Sequence, residues 1–198
     1  MRIAIIGDNN LSKAVNFGFP SNYCVKYNID ENAIETLPNY INYAFICIEN
    51  IDKIPDIITR LKTAINGHII LKSPILPENL TNLIKISSSI IYNPEFLNPK
   101  MPNESFIYPH LRILGGMPKY TNDIEYLYKH YSNCIPCPTF HMSILEAGYA
   151  KQYIDKLIEF NNSLITEIQQ SKYENSFDLN AEKVLGSVRL FSKLMMGQ

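Results

Sequence analysis

At 198 residues the chain can build one full hydrophobic core, or one core with a helical appendage, but not a second large domain. Its 18 basic and 19 acidic residues leave a formal net charge of −1, spread without long single-sign blocks, which argues against a nucleic-acid backbone as partner. The apolar stretch within MRIAIIGDNN is too short for a signal-peptide core, and no window approaches the roughly 20 apolar residues of a membrane span, so a cytoplasmic protein is expected.

In chain order, Arg2–Ile6 is an apolar run closed by Gly7, the pattern of a buried strand. Further strand-like runs occupy residues 23–27, 43–48, 68–72, 89–92 and 111–114. Residues 52–64 carry Ile54, Ile57, Ile58 and Leu61 on one helical face with Pro55 in the first turn, and Asn66-Gly67 is expected to stop that helix. Residues 78–86, after Pro77, and residues 122–131 predict two more helices. This alternation is the pattern of an α/β fold with a parallel sheet and crossover helices.

From Ser143 the pattern changes to one long helix reaching about Ser171. Ser143-Ile-Leu-Glu146 predicts a capping box at its start. Tyr149, Tyr153, Leu157, Phe160, Leu164 and Ile168 form an apolar stripe that needs a partner. A last helix over residues 180–195 could cover part of the stripe, and a second subunit the rest.

Several residues carry candidate chemistry. After the first strand, Gly7-Asp8-Asn9-Asn10-Leu11-Ser12 occupies the place of a G-x-G-x-x-G turn, where pyrophosphate would meet backbone amides at a helix N-terminus. One glycine remains, so an ordinary strand-to-helix turn reads equally well. Beyond the second strand, Asn28 and Asp30 stand where a ribose hydroxyl would be bound, leaving NAD and NADP both open. Cys134-Ile-Pro-Cys137 has C-x-x-C spacing but no second pair, and the four cysteines read as thiols. Neither His68 nor His141 has a partner at metal or triad spacing, so no metal site is expected.

Three segments, in order, resemble the UDP-glucose and GDP-mannose dehydrogenase family. Ile70-Leu71-Lys72-Ser73-Pro74-Ile75-Leu76-Pro77 is similar to the family's strand ending in S-T-V-P-P. Asn93-Pro94-Glu95-Phe96-Leu97 matches its N-P-E-F-L without change, and PHLRILG, ending at Gly115, resembles its P-D-R-I-V-I-G. Leu145-Glu146 resembles the pair that opens the family's dimer-forming central helix. The resemblance implies a Rossmann-like, doubly wound, mostly parallel sheet over residues 1–140 and a helical, dimer-forming segment over residues 141–198. It also implies NAD as cofactor, a nucleotide or nucleotide sugar as ligand, and a homodimer built through the long helix. Gly7, Asn9, Asn10, Leu11, Asn28, Asp30, Ile48, Ser73 and Glu95 are the cofactor-side positions, and Glu95 is the one retained residue of the catalytic segment.

The departures shape the functional expectation. The family's thiohemiacetal-forming cysteine lies in a G-G-x-C segment expected just beyond Gln198, and the domain that grips the sugar nucleotide is not in this sequence. The lysine expected three residues after Glu146 is Tyr149, with Lys151 displaced from that place; Lys151 and Gln152 read as solvated face. Pro74 replaces the threonine of S-T-V-P, and only about 13 residues separate Asp30 from Tyr43, a shortened crossover. Complete alcohol-to-acid oxidation is therefore not expected of this chain alone. Two readings result: a dehydrogenase-like protein that binds NAD(H), and an interaction protein that kept the scaffold without a cofactor. Without the cysteine, Glu95 reads more readily as a carboxylate that bonds loop amides.

Overall fold

A computed structural model of the chain describes residues 1–174 together with 183, 184, 186 and 187. The chain divides into two compact units, Met1–Gln152 and Tyr153–Gln198. In the first, seven strands form one sheet: β1 (Arg2–Ile6), β2 (Val25–Ile29), β3 (Ile41–Ile46), β4 (Ile65–Leu71), β5 (Ile90–Tyr92), β6 (Arg112–Gly115) and β7 (Thr139–Met142). Their order is β2-β1-β3-β4-β5-β6-β7. All neighbours are parallel except β5 and β6, which pair antiparallel through Tyr92 and Gly115. The α/β doubly wound expectation is met.

The inner strands read as near-continuous apolar runs because both faces of the sheet are covered. Alternate residues point to opposite faces. One face presents Ile3, Ile5, Phe45, Cys47, Ile70, Ile91 and Leu114 to a core cluster that includes Ala14 and Val15 of α1 (Asn10–Gly18), Phe106 of α4 (Pro102–Ile107) and Ile124, Leu127 and Tyr128 of α5 (Pro118–Tyr131). Ile57, Ile58 and Leu61 of α2 (Ile54–Ala64) and Leu80 and Leu83 of α3 (Pro77–Ile86) are likewise buried. α2 packs against β3, β4 and α3. The edge strands β2 and β7 are the least buried, as expected where one side of the ladder is open.

Several boundaries differ from the sequence reading. The second strand is Val25–Ile29, two residues later than the apolar run, because β2 lies at the edge and tolerates exposed side chains. The helix over 54–64 ends at Ala64, and Asn66-Gly67 lies inside β4 instead of capping the helix. Gly67 serves a close backbone approach: a Cβ there would fall 1.7 Å from the Asn42 carbonyl oxygen, beside a register shift between β3 and β4. β7 and the short α4 carried too few periodic residues to be read from sequence.

The crossover from β2 to β3, residues 30–40, contains one 3-10 turn, Ile34–Thr36, and no α-helix. Arg60 on α2 ties it down, donating from Nε and Nη2 to the two carboxylate oxygens of Glu35 at 2.6 and 2.7 Å and from Nη1 to the Glu31 carbonyl at 3.2 Å.

The long helix α6 spans Ile144–Glu174. Its capping box is formed as the sequence predicts: the Ser143 amide donates to Glu146 Oε2 at 2.7 Å, and the Glu146 amide donates to Ser143 Oγ at 3.2 Å. Its first turns fit closely into the first unit, since a Cβ on Gly148 would lie 2.7 Å from Leu80 Cδ1, and one on Gly115 would lie 2.4 Å from Ala147 Cβ. In the second unit, Tyr153, Leu157, Ile158 and Phe160 are exposed and Leu164 and Ile168 are half-buried. The helix expected over residues 180–195 lies outside the described residues apart from four positions, which are helical. No helix among the described residues is long and apolar enough to cross a membrane.

Candidate functional site

In an open α/β sheet, ligands enter at the carboxyl ends of the strands, where successive connections leave in opposite directions. Here that switch point lies between β1 and β3, because β1 connects outward to β2 and the chain then crosses back over to β3. Gly7 follows β1 with φ +123°, and a Cβ on it would lie 2.3 Å from the Cys47 carbonyl oxygen, so the protein's own β3 end already requires glycine there.

Asn9 caps α1. Its Oδ1 accepts from the Ser12 amide at 3.0 Å, while Ser12 Oγ accepts from the Asn9 amide at 2.9 Å, a reciprocal box. Asn9 Nδ2 donates across the crevice to the Cys47 carbonyl at 2.7 Å. Asn10 and Leu11 open the helix behind it. Asp8 is exposed and pairs with Lys13 at 3.2 Å.

The other residues that the family resemblance expects on the cofactor side fall into two groups. Asn28, exposed in β2 opposite Ile5, and Asp30, exposed just beyond it, stand at the end of the strand next to β1. Asp30 Oδ1 accepts from both the amide and the side chain of Asn32 at 2.8 Å. Ile48 and Ser73 are buried: Ser73 Oγ accepts from the Ile48 amide at 2.9 Å and donates to the Ile48 carbonyl at 2.7 Å. The Ser73 hydroxyl thus joins the ends of β3 and β4 and is fully used in doing so.

Glu95 occupies a different setting. Its carboxylate is paired with Lys72, the residue after β4, whose side chain is wholly buried while that of Glu95 is 16% exposed. The partner is a buried ammonium, not the loop amides the sequence suggests. Lys72 Nζ also donates to Asn93 Oδ1 at 2.8 Å, and the same oxygen accepts from the Tyr128 hydroxyl at 2.8 Å. Asn93 Nδ2 donates to the Ile113 carbonyl at 2.9 Å. The ammonium lies 5.3 Å from the Phe106 ring and 5.4 Å from that of Tyr128, and the Arg112 guanidinium stacks on Tyr128 at 3.8 Å.

Burial pushes Lys72 below its ordinary value, against the pull of Glu95. Burial also pushes the adjacent Cys47 thiol up to about 12, which makes it a packing residue and not a nucleophile. Lys151 on α6 is half-buried, with its ammonium 4.6 Å from the Phe96 ring. This contact corrects its reading as solvated face and brings it beside the 93–97 segment.

Sequence reasoning passed over Lys72. Its only signal was a lysine closing an otherwise apolar strand, a type that is almost never fully buried unless paired. The histidines gained partners by tertiary contact with α5: His68 Nε2 meets Asp123 at 3.1 Å, and His141 Nε2 meets Glu125 at 2.9 Å. Among the described residues no three metal-capable side chains cluster. Cys24 and Cys47 are buried thiols, and Cys134 and Cys137 are half-buried thiols.

No protein-family model matches the sequence, and no curated protein matches it. Solved structures do match. A GDP-mannose dehydrogenase from Pseudomonas aeruginosa aligns with a TM-score of 0.76 at 14% identity, over 96% of this chain and 57% of that one. A UDP-D-ManNAc dehydrogenase from Pyrococcus horikoshii gives 0.74 at 16%, over 96% and 58%. A UDP-glucose dehydrogenase from Pyrobaculum islandicum gives 0.72 at 14%, over 97% and 57%. The chain has the nucleotide-sugar dehydrogenase fold. At these identities the likeness establishes the fold alone, and the chain spans less than two thirds of the length of these structures.

That fold implies a dinucleotide, and the residues present fit one unevenly. In location the crevice between β1 and β3 would suit such a ligand, with Asn28 and Asp30 exposed at the end of the neighbouring strand. At the turn after β1 the amides of Asn9 and Ser12 are already satisfied by each other's side chains, while those of Asn10 and Leu11, the first two of α1, take no partner among the described residues.

Proposed function

We propose that residues 1–140 act as an NAD(H)-binding domain of the nucleotide-sugar dehydrogenase type, and residues 141–198 as a homodimer-forming helical segment, in a cytoplasmic protein. The observation that supports this reading best is the crevice between β1 and β3, flanked by Asn28 and Asp30 at the carboxyl end of β2. The family's full oxidation is not assigned to this chain by itself. Glu95, the one retained residue of the catalytic segment, has its charge committed to a buried lysine and is not poised as a general base.

Calorimetric titration of the whole chain with NAD, NADP and UDP-glucose tests the reading. Binding of NAD is expected in the high micromolar range, with no absorbance of reduced cofactor on adding UDP-glucose. Absence of any binding at millimolar NAD would favour the second reading, a scaffold that works through its surfaces. That reading draws on the self-satisfied turn at Asn9 and on the exposed apolar face of α6.

A further inference from the structure

A second concavity opens at the amino ends of the strands, the opposite end of the sheet from the crevice between β1 and β3. It is an open cleft of ≈ 540 Å³, the size of a small-molecule site, lined from the sheet by Met1, Tyr43 and His68 and from α5 by Tyr126 and Tyr131. Strand alternation puts the sheet residues there: Tyr43 precedes Phe45, and His68 precedes Ile70, by two positions, so all four share the face that α5 covers. The His68 ring lies 5.8 Å from that of Tyr43 and 5.1 Å from that of Tyr120. A carboxylate only accepts, so His68 Nε2, 3.1 Å from Asp123 Oδ2, carries a hydrogen there. In the neutral ring Nδ1 is then a bare acceptor, and it is buried with no hydrogen-bond partner among the described residues. Buried polar atoms are seldom left unmet in a folded protein, so this one points to a donor that the chain does not itself supply.

The surroundings select the kind of donor. Asp123 is half-exposed beside the imidazole, and its charge reaches the cleft: burial first, and then Asp123, holds the Tyr43 hydroxyl above its ordinary value. The rings of Tyr126 and Tyr131 lie 6.2 Å apart. Among the described residues no cation lies over either of them or over Tyr43, whereas Lys119 already lies 5.8 Å from the Tyr120 ring. A bare nitrogen, a carboxylate and three phenol rings are all electron-rich. An anion is repelled by this set and a neutral donor leaves Asp123 unused, while a protonated amine on an apolar body uses every part of it. We infer that the cleft is a second ligand site, for a small organic ammonium ion whose N–H donates to His68 Nδ1 and whose apolar body lies among Tyr43, Tyr126 and Tyr131. Asp123 fixes the tautomer of His68 and supplies the counter-charge.

Benzylammonium, benzyl alcohol and benzoate share one ring and differ in the charge of the head group, so calorimetric titration of the whole chain with each of them tests the assignment. Benzylammonium is expected to bind with a Kd of about 1 mM and benzyl alcohol about tenfold more weakly, with benzoate silent. Asp123→Asn keeps an oxygen for His68 Nε2 and removes the charge, and Tyr126→Ala removes a ring that is 56% exposed, so both variants are expected to fold, as circular dichroism will show. Each is expected to weaken benzylammonium about fivefold, and Asn at position 123 is expected to leave benzyl alcohol unchanged. The imidazole nitrogen spectrum of the labelled wild-type chain reads the contact directly: the His68 Nδ1 resonance is expected to move from that of a bare nitrogen toward that of a hydrogen-bonded one with benzylammonium and to stay in place with benzoate. No binding of benzylammonium at about 10 mM, equal binding of the three probes, or a His68 Nδ1 resonance that does not move would overturn the site. So would unchanged benzylammonium affinity in both folded variants. The NAD reading stands apart from every one of these outcomes, because its crevice lies at the other end of the strands.

Discussion

Replacing Glu95 by glutamine is expected to destabilise the chain by about 3 kcal/mol, because it removes the charge that balances a lysine whose side chain is wholly buried. For a chain of this size that is a fall in melting temperature of about 6–12 °C, read by differential scanning calorimetry. The double replacement Lys72→Met with Glu95→Gln is expected to recover most of the loss, since an apolar side chain of similar length needs no counter-charge and Asn93 Oδ1 keeps its bond from Tyr128. A double variant no more stable than the single one would show that Lys72 does not carry the effect. The pH dependence follows from the same burial. Lys72 is held below its ordinary value in the folded chain. Between the folded and unfolded values the unfolded chain binds more protons, so stability rises with pH across that interval. Without Glu95 the folded value drops further and the interval extends toward neutrality. The deficit of Glu95→Gln is therefore expected to shrink as the pH is raised from neutral into the alkaline range.

The second large effect is expected in self-association. Leu157 and Phe160, on one face of α6, are 52% and 61% exposed. Their spacing of three places them side by side, with Tyr153 one turn before, and such a stripe gains most by meeting a copy of itself about a two-fold axis. The chain is expected to sediment as a dimer at micromolar concentration. Leu157→Glu would bring two like charges into the centre of such an interface; a cost of about 3 kcal/mol weakens the dimer about a hundredfold. A wild-type chain that sediments as a monomer at micromolar concentration would rule out this role for α6.

Most of the sheet was legible because a strand buried on both faces is apolar along its covered stretch, as residues 3–6, 44–46, 69–71 and 90–92 are. β2 slipped by two residues, and β7 was not read at all, because an edge strand has no such obligation. Asn66-Gly67 carries a helix-stop signal that a close backbone approach in β4 outweighs. The 93–97 segment pointed to Glu95, but its partner was hidden: a buried lysine looks in sequence like a strand-ending charge. The Asn9–Ser12 box was hidden too, since it uses a serine where the recognisable signature has glutamate or glutamine. The carboxylates facing His68 and His141 come from α5, more than a dozen residues away in each case, where no spacing rule reaches.

The Lys72–Glu95 pair also bears on the order in which the molecule assembles. Its burial needs β4, the segment after β5, α4 and α5 together, through Asn93, Phe106 and Tyr128. An ammonium loses its water only when that enclosure is complete, so the pair belongs to the last contacts to form. Its strength is then felt almost wholly in the unfolding rate, with refolding left near its wild-type speed. A contact of this kind sets how long each folded molecule lasts once made.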